Sequence, residues 1–482
     1  MSTVAFGKDG AIARSASDLY RAVWRWHFYA GLLVLPFMIT LAITGGLYLF
    51  KDELDGIIHA NVKRVEIGQQ TVPPSQMVTA ALAAHPGTAV KFTDPPTPSS
   101  SAEITINAPE GKLAVYVSPY TGTVLGSLPD RGTVMWTIRY LHSLKYFGTY
   151  ARYAIEIAGG WSILLVATGI YLWWPRTQTG GVVSVRGTPK RRVFWRDLHA
   201  VTGIFVGGFI VFLAITGMPW SGVWGGKVNE WANGNNFGYP AGVRVSVPMS
   251  NDRLDAVAKT SWSLEQAQIP MSSQAHEDHA AHGSHDSGDH AGHDGHANTP
   301  LPATSETATK SLIGIDAAIA KLKTLGLHAG YALNLPTTPT GVYTGSVYPD
   351  DLSQQRVVHL DQYSGEALID MGYADYGPLG KGLEWGINVH MGQEFGLANQ
   401  IVLAFACLAI ILLAVSAAIM WWKRRPKGSL GVPPMPQDKT VFRGLLALLI
   451  IGGIIFPLVG VSLVVMLVLD VVVQKTAKRR TA

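Results

Sequence analysis

Cysteine is almost missing from this chain: Cys407 is the only one in 482 residues. That excludes a disulfide framework, cysteine-based zinc and iron–sulfur sites, and covalent haem attachment, for which no C-x-x-C-H exists. Charge is also scarce, at 15% of residues against 48% hydrophobic. Such a balance points to a membrane protein. No G-x-G-x-x-G follows a strand pattern and no P-loop occurs, so no nucleotide site is expected. The net charge of +5 gathers beside apolar stretches, and nucleic acid is therefore not an expected partner.

What the chain does have is apolar length. Stretches able to cross a bilayer lie at about 29–50, 153–174, 200–222 and 397–422, with a fifth at about 444–469. Arg14, Arg21 and Arg25 precede the first. Arg176, Lys190, Arg191, Arg192 and Arg196 lie between the second and third, and Lys423, Arg424, Arg425 and Lys427 follow the fourth. Cytoplasmic loops carry this excess, so the N-terminus and the loops 175–197 and 423–443 are expected inside, and 51–140 and 223–390 outside. Trp24, Trp26, Trp173, Trp174, Trp195, Trp421 and Trp422 fall at the expected inner interface. The first span lacks a cleavage pattern and reads as a retained anchor. The fifth stretch reads as one crossing in preference to a re-entrant hairpin broken at Pro457, because each half would have only about 13 residues.

The expected order follows. A cytoplasmic N-terminus (1–28) leads to a first span (29–50) and an outer module (51–140). An outer-end helix and second span (141–175), a cytoplasmic loop (176–197) and a third span (198–222) come next. A second outer module (223–388), an outer-end helix and fourth span (389–422), a loop (423–443) and a C-terminal segment (444–470) complete the chain.

The spans repeat. His27 is followed after fourteen residues by Leu41-Ala42-Ile43-Thr44-Gly45, and His199 after fourteen by Leu213-Ala214-Ile215-Thr216-Gly217. His142 precedes Phe147-Gly148 and, by 31 residues, Trp173-Trp174; His390 precedes Phe395-Gly396 and, by 31 residues, Trp421-Trp422. The first helices are offset by 172 positions and the second by 248, so the second outer segment holds a 76-residue excess. A parallel repeat implies a pseudo-twofold axis along the membrane normal. The outer segments share a motif too: Val115-Tyr116-Val117-Ser118-Pro119-Tyr120-Thr121-Gly122 is similar to Val358-His359-Leu360-Asp361-Gln362-Tyr363-Ser364-Gly365. Alternation ending in Tyr-[Thr/Ser]-Gly predicts a strand and a turn. Helical stretches at Gln76–Ala84 and Ile315–Leu325 make each module α+β.

The Tyr-[Thr/Ser]-Gly strand, the histidines near the second helices, the Trp-Trp exits and the Leu-Ala-Ile-Thr-Gly core together resemble the PepSY-associated transmembrane-helix family, over roughly 20–425. That family includes iron-regulated inner-membrane proteins and siderophore-iron reductases. The resemblance implies an α-helical integral membrane bundle of four core helices from a duplicated helix–PepSY–helix unit, with α+β periplasmic PepSY-like modules. It also implies a bacterial inner-membrane location and, in the reductase members, two haems in the bundle. The insertion at about 232–310 and the fifth stretch depart from the simplest members.

Paired imidazoles in hydrocarbon suit the axial positions of iron porphyrin. His27 with His199, and His142 with His390, are therefore the expected ligands of two b haems, near the inner and outer faces. Intramembrane ionisable groups mark function by default, although duplication also copies structural histidines. A proton relay is the rival, and it wants carboxylates at membrane depth, where only Glu156 and Asp470 stand out. Gly31, Gly45, Gly203 and Gly217 fit either helix packing or porphyrin clearance. Arg139, Lys145 and Arg152 fit haem propionates or interfacial snorkelling. A bend is expected near Gly148 or Gly159-Gly160.

His276, His279, His282, His285, His290, His293 and His296 lie among Gly, Ala, Ser and Asp without apolar periodicity. Neutral imidazoles at this spacing suit Zn, Cu, Ni or Fe, assisted by Glu277, Asp278, Asp286, Asp289 and Asp294. The expected function is an oxidoreductase that takes electrons from a cytoplasmic or quinol donor and reduces a periplasmic ferric-siderophore or other metal complex. The alternatives are a non-redox metal-binding accessory protein and a PepSY-type regulator of a periplasmic protein.

Overall fold

A computed structural model describes residues 8–175, 181–234, 248–272, 311–427, 430–433 and 439–481. The histidine-rich segment His276–His296 lies outside them. In chain order the elements begin with α1 (Lys8–Tyr48), α2 (Lys51–Ile58), α3 (Ala60–Lys63) and α4 (Pro74–Ala84). Strands β1 (Thr88–Thr93), β2 (Ala102–Ala108), β3 (Gly111–Val117) and β4 (Val124–Pro129) follow. Then come α5 (Val134–His142), α6 (Thr149–Trp173), α7 (Arg192–Gly217), α8 (Trp224–Gly234), β5 (Met249–Arg253), α9 (Leu254–Val257) and β6 (Gln268–Pro270). The second half holds α10 (Gly314–Thr324), β7 (Ala332–Asn334), β8 (Val342–Val347), β9 (Arg356–Asp361) and β10 (Ala367–Gly372). It ends with α11 (Pro378–His390), α12 (Gly396–Arg424), α13 (Lys439–Ile455) and α14 (Pro457–Thr481).

One unit combines residues 1–55, 134–235 and 382–482. Its frame is α1, α6, α7 and α12, each packed on the next, with α12 returning to α1. Spans Asp18–Tyr48, Thr149–Trp173, Arg192–Trp220 and Gly396–Arg424 are long and apolar enough to cross a membrane. Phe205, Phe405 and Leu408 point outward, 69%, 68% and 62% exposed. Lipid makes that arrangement favourable and water would not. This is a multi-pass membrane protein.

Where one crossing was expected at the C-terminus, two helices meet. Pro457 lacks the N–H that would continue α13, and α14 starts there. The two pack on each other. A Cβ on Gly453 would stand 2.6 Å from Gly460 Cα, so only glycine permits this approach. The α5–α6 bend falls at 143–148, where Gly148 has φ +85°. Gly159 and Gly160 lie inside an unbroken α6. Glu156 is buried to 1% exposure and accepts from Val223 N (2.9 Å) and Trp224 N (3.2 Å), at the start of α8. A carboxyl oxygen there satisfies helix-end N–H groups.

The other unit, residues 56–133 and 236–381, carries an antiparallel sheet of order β10-β9-β8-β7-β1-β2-β3-β4. The two modules expected separately thus share one sheet, joined where β1 pairs with β7 (Lys91↔Asn334, Phe92↔Leu333, Thr93↔Ala332). Period-two alternation puts Phe92, Ile104, Val115, Leu333 and Leu360 in a core with Met77 and Ala81 of α4 and Ile319 and Leu322 of α10. The repeated motif is explained in detail. Gly122 and Gly365 both have φ +71°, closing the turn. Tyr120 Oη donates to Pro98 O and Tyr363 Oη to Pro339 O, each at 2.7 Å.

Candidate functional site

The site is built in the helical unit from four histidines on four helices. His27 (α1) and His199 (α7) face each other, with ring centroids 6.4 Å apart and planes at 80°. His27 Nδ1 lies 2.9 Å from Thr168 Oγ1 on α6. That hydroxyl donates its single proton to Leu164 O at 2.8 Å. It therefore accepts from His27, which fixes the Nδ1–H tautomer and leaves the Nε2 lone pair free. His199 Nδ1 reaches Leu413 O on α12 at 3.1 Å. A carbonyl only accepts, so the tautomer is again Nδ1–H.

The other two histidines repeat this chemistry. His142, at the end of α5, has Nδ1 2.9 Å from Thr44 Oγ1, and Thr44 donates to Thr40 O at 2.6 Å. His390, at the end of α11, has Nδ1 2.7 Å from Thr216 Oγ1, and Thr216 donates to Phe212 O at 2.7 Å. His142 and His390 are near neighbours. All four histidines thus have Nδ1 occupied and are only partly buried.

The glycines now separate by role. A Cβ on Gly45 would sit 3.3 Å from His142 Cε1, on Gly217 3.5 Å from His390 Cε1, and on Gly169 3.4 Å from His27 Cε1. Each follows the threonine that holds the same ring, so a Thr-Gly pair seats three of the four imidazoles. At the fourth, Gly203 faces Leu413 at 3.4 Å, while Gly31 meets nothing within 4 Å. Sequence reasoning singled out Thr44-Gly45 and Thr216-Gly217 as a repeat but missed the threonines as histidine partners, and missed Thr168-Gly169 altogether. The visible signal was the recurrence of Thr-Gly within the spans.

From His27 to Thr44, and from His199 to Thr216, is seventeen residues. That is about 26 Å along a helix, close to the bilayer core of about 30 Å. Arg139 and Lys145 stack on aromatic rings, 4.8 Å from Trp136 and 5.0 Å from Tyr140, and Arg152 donates to Trp220 O. The Trp-Trp exits also gain a reason. Trp173 Nε1 donates to Val182 O (2.8 Å) and Trp421 Nε1 to Leu430 O (3.0 Å), each nine residues on.

Chemically, the His27–His199 pair is spaced to hold one metal centre between two imidazoles. Metal–nitrogen bonds of about 2 Å and a ring half-width of about 1 Å put two axial centroids roughly 6 Å apart. The 6.4 Å of His27 and His199 fits. Among the described residues no cluster of three or more His, Cys, Asp or Glu could hold a bare ion. Two imidazoles are the axial ligand set of a b-type haem.

The family model for the PepSY-associated TM region matches residues 24–424. The chain belongs to this family. None of the curated proteins matches it. The match begins before His27 and ends at Arg424, so it covers all four histidines, both Trp-Trp exits and the whole sheet unit, and leaves out α13 and α14. In this member of the PepSY-associated TM family, the helical hairpin lies beyond the matched region.

Proposed function

We propose that this protein is a bacterial inner-membrane oxidoreductase with two b haems, which carries electrons across the membrane to reduce ferric-siderophore or similar metal complexes in the periplasm. The observation that carries this reading is the His27–His199 pair, 6.4 Å apart with both Nδ1 atoms occupied and both Nε2 atoms free. The second pair, on threonines about 26 Å further along the same two helices, supports a centre near each face. Basic residues beside the spans support a cytoplasmic N-terminus.

Iron porphyrin supplies a one-electron couple when bound. The chain's own residues do the rest. His27, His199, His142 and His390 offer Nε2 as ligands. Thr168, Thr44, Thr216 and the Leu413 carbonyl hold Nδ1–H, which fixes ring orientation and raises ligand basicity. Gly45, Gly169 and Gly217 leave room for the rings. Surrounding apolar side chains keep water away and so tune the potential. Reduction weakens chelation, because siderophores hold Fe(III) far more tightly than Fe(II). The histidine-rich segment His276–His296 adds capacity for Zn, Cu or Ni on the periplasmic side.

Reduced-minus-oxidised spectroscopy with haem quantitation tests this. Two low-spin b haems per chain are expected. The near-perpendicular His27 and His199 planes predict one strongly anisotropic ferric EPR signal. A purified chain that carries no haem overturns the reading.

A further inference from the structure

At the Trp-Trp end of the helical unit, basic residues come in two runs of three. Lys190-Arg191-Arg192 leads into α7, and Lys423-Arg424-Arg425 leads out of α12. The packing of α12 on α7 brings the runs side by side. Lys423 Nζ donates to Lys190 O at 3.2 Å, and Arg192 and Arg424 are near neighbours. Carboxylates are missing here. Asp197 is the only one between residues 176 and 197, and it is already held by Arg186 at 2.7 Å and Arg196 at 2.6 Å. Among the described residues none of the six cations of the two runs has a carboxylate partner. Like charges held together without a counter-charge repel one another.

The surroundings say what kind of anion fits. Arg424 closes the apolar span Gly396–Arg424, so the cations stand where lipid tails meet headgroups. Arg425 lies over the Trp422 ring at 3.7 Å. Trp422 is itself 61% exposed, and tryptophan at a helix end sits at headgroup level. A soluble anion would answer the charge and leave the exposed ring in water. A phospholipid answers both, with its phosphate on the cations and its glycerol and tails beside the indole. Basic pockets between membrane helices on the cytoplasmic side are a known lodging for lipid headgroups. Two runs call for two phosphates. Where both sit on one short glycerol bridge, the second binds as an intramolecular step, at high effective concentration.

We propose that the paired ends of α7 and α12 bind a two-phosphate phospholipid of the cardiolipin type, one phosphate on Lys190-Arg191-Arg192 and the other on Lys423-Arg424-Arg425, with Trp422 beside its glycerol. In the orientation argued above this lipid belongs to the cytoplasmic leaflet. Its phosphates relieve the repulsion between Arg192 and Arg424 and so hold the two helix ends together. The inference needs no haem and stands whether or not the protein carries electrons.

The test titrates the full chain in detergent with cardiolipin, and with phosphatidylglycerol at equal phosphate, and counts retained lipid by native mass spectrometry. The parent is expected to hold cardiolipin about tenfold more tightly than phosphatidylglycerol. Arg191→Gln/Arg192→Gln is expected to lose that preference. Lys423→Gln/Arg425→Gln, which leaves α7 untouched, should lose it as well, so that misfolding of one variant does not decide the result. Lys227→Gln removes an exposed cation on α8, away from both runs, and should keep it. Equal retention of the two lipids by the parent overturns the proposal. So does a preference that survives in both double variants, or one that Lys227→Gln lowers as much as they do. Displacement of the lipid by inorganic pyrophosphate at matched charge would show a plain phosphate site, and displacement by polyglutamate an acidic-protein surface; either result also overturns it.

Discussion

The two units of this protein use the same side-chain contact for different ends. In the helical unit, Thr44, Thr168 and Thr216 each hold a histidine Nδ1 at 2.7–2.9 Å. In the sheet unit, Thr344 on β8 holds His359 Nδ1 on β9 at 2.9 Å. His359 is fully buried, and its Nε2 has no hydrogen-bond partner among the described residues. A threonine-oriented imidazole is therefore not in itself a ligand site. The helical unit adds a second imidazole across from the first at His27 and His199 and, at three of its four histidines, a glycine against the ring. Among the described residues the sheet unit shows neither at His359.

The largest expected effect tests that distinction directly. Replacing His390 with Ala removes one of the four proposed ligands, so the variant should lose one of the two haem signals and about half of the haem per chain. His359→Ala should keep both. Haem quantitation on the purified variants decides it. A His390→Ala protein with full haem, or a His359→Ala protein that loses haem, erases the difference between the units.

The spans and their repeat are legible in the sequence, and the gaps have physical reasons. The spans announced themselves because about twenty apolar residues have few other uses. The four histidines were found because two offsets, 172 and 248, kept them in register. The Tyr-[Thr/Ser]-Gly strand was visible because a positive-φ turn admits little but glycine. The joining of both modules into one sheet was hidden, since pairing Lys91 with Asn334 depends on contacts more than two hundred residues apart. The α13–α14 hairpin was weighed and set aside on length, a weaker guide here than Pro457 and the Gly453–Gly460 approach. Thr168 went unnoticed because its counterpart by the 248 offset is Ser416, which donates to Leu413 O. His199 turns to that same carbonyl directly.

A smaller effect is expected from the threonines. Thr216→Val keeps the shape at that position but leaves the His390 Nδ1–H without its acceptor. Losing such a partner commonly lowers metal affinity by about 10–100-fold. The dithionite-reduced variant should bind carbon monoxide at one haem, because a loosened axial imidazole can be displaced, while the parent should not. Thr344→Val is the control from the other unit and should leave the haem spectra unchanged. A Thr216→Val protein as inert to carbon monoxide as its parent would show that packing alone holds His390.

The smallest effect belongs to His359 and reads out in stability rather than haem. Burial pushes its imidazole from 6.5 down to about 4. The unfolded chain therefore takes up a proton between about pH 6.5 and 4 while the folded sheet does not. Stability is complete above about 6.5 and falls as pH drops through that window, by up to about 3 kcal/mol if the whole shift is expressed. His359→Leu removes the titrating group. It should lower stability at pH 7, because Thr344 loses its partner, but it should flatten the fall between pH 6.5 and 4. Hydrogen exchange of peptides from β8 and β9, corrected for intrinsic rate, measures both. The histidines of the helical unit lie outside these peptides, so an unchanged pH slope in the variant would mean that other groups of the sheet unit carry the acid sensitivity and that His359 is a passive core residue.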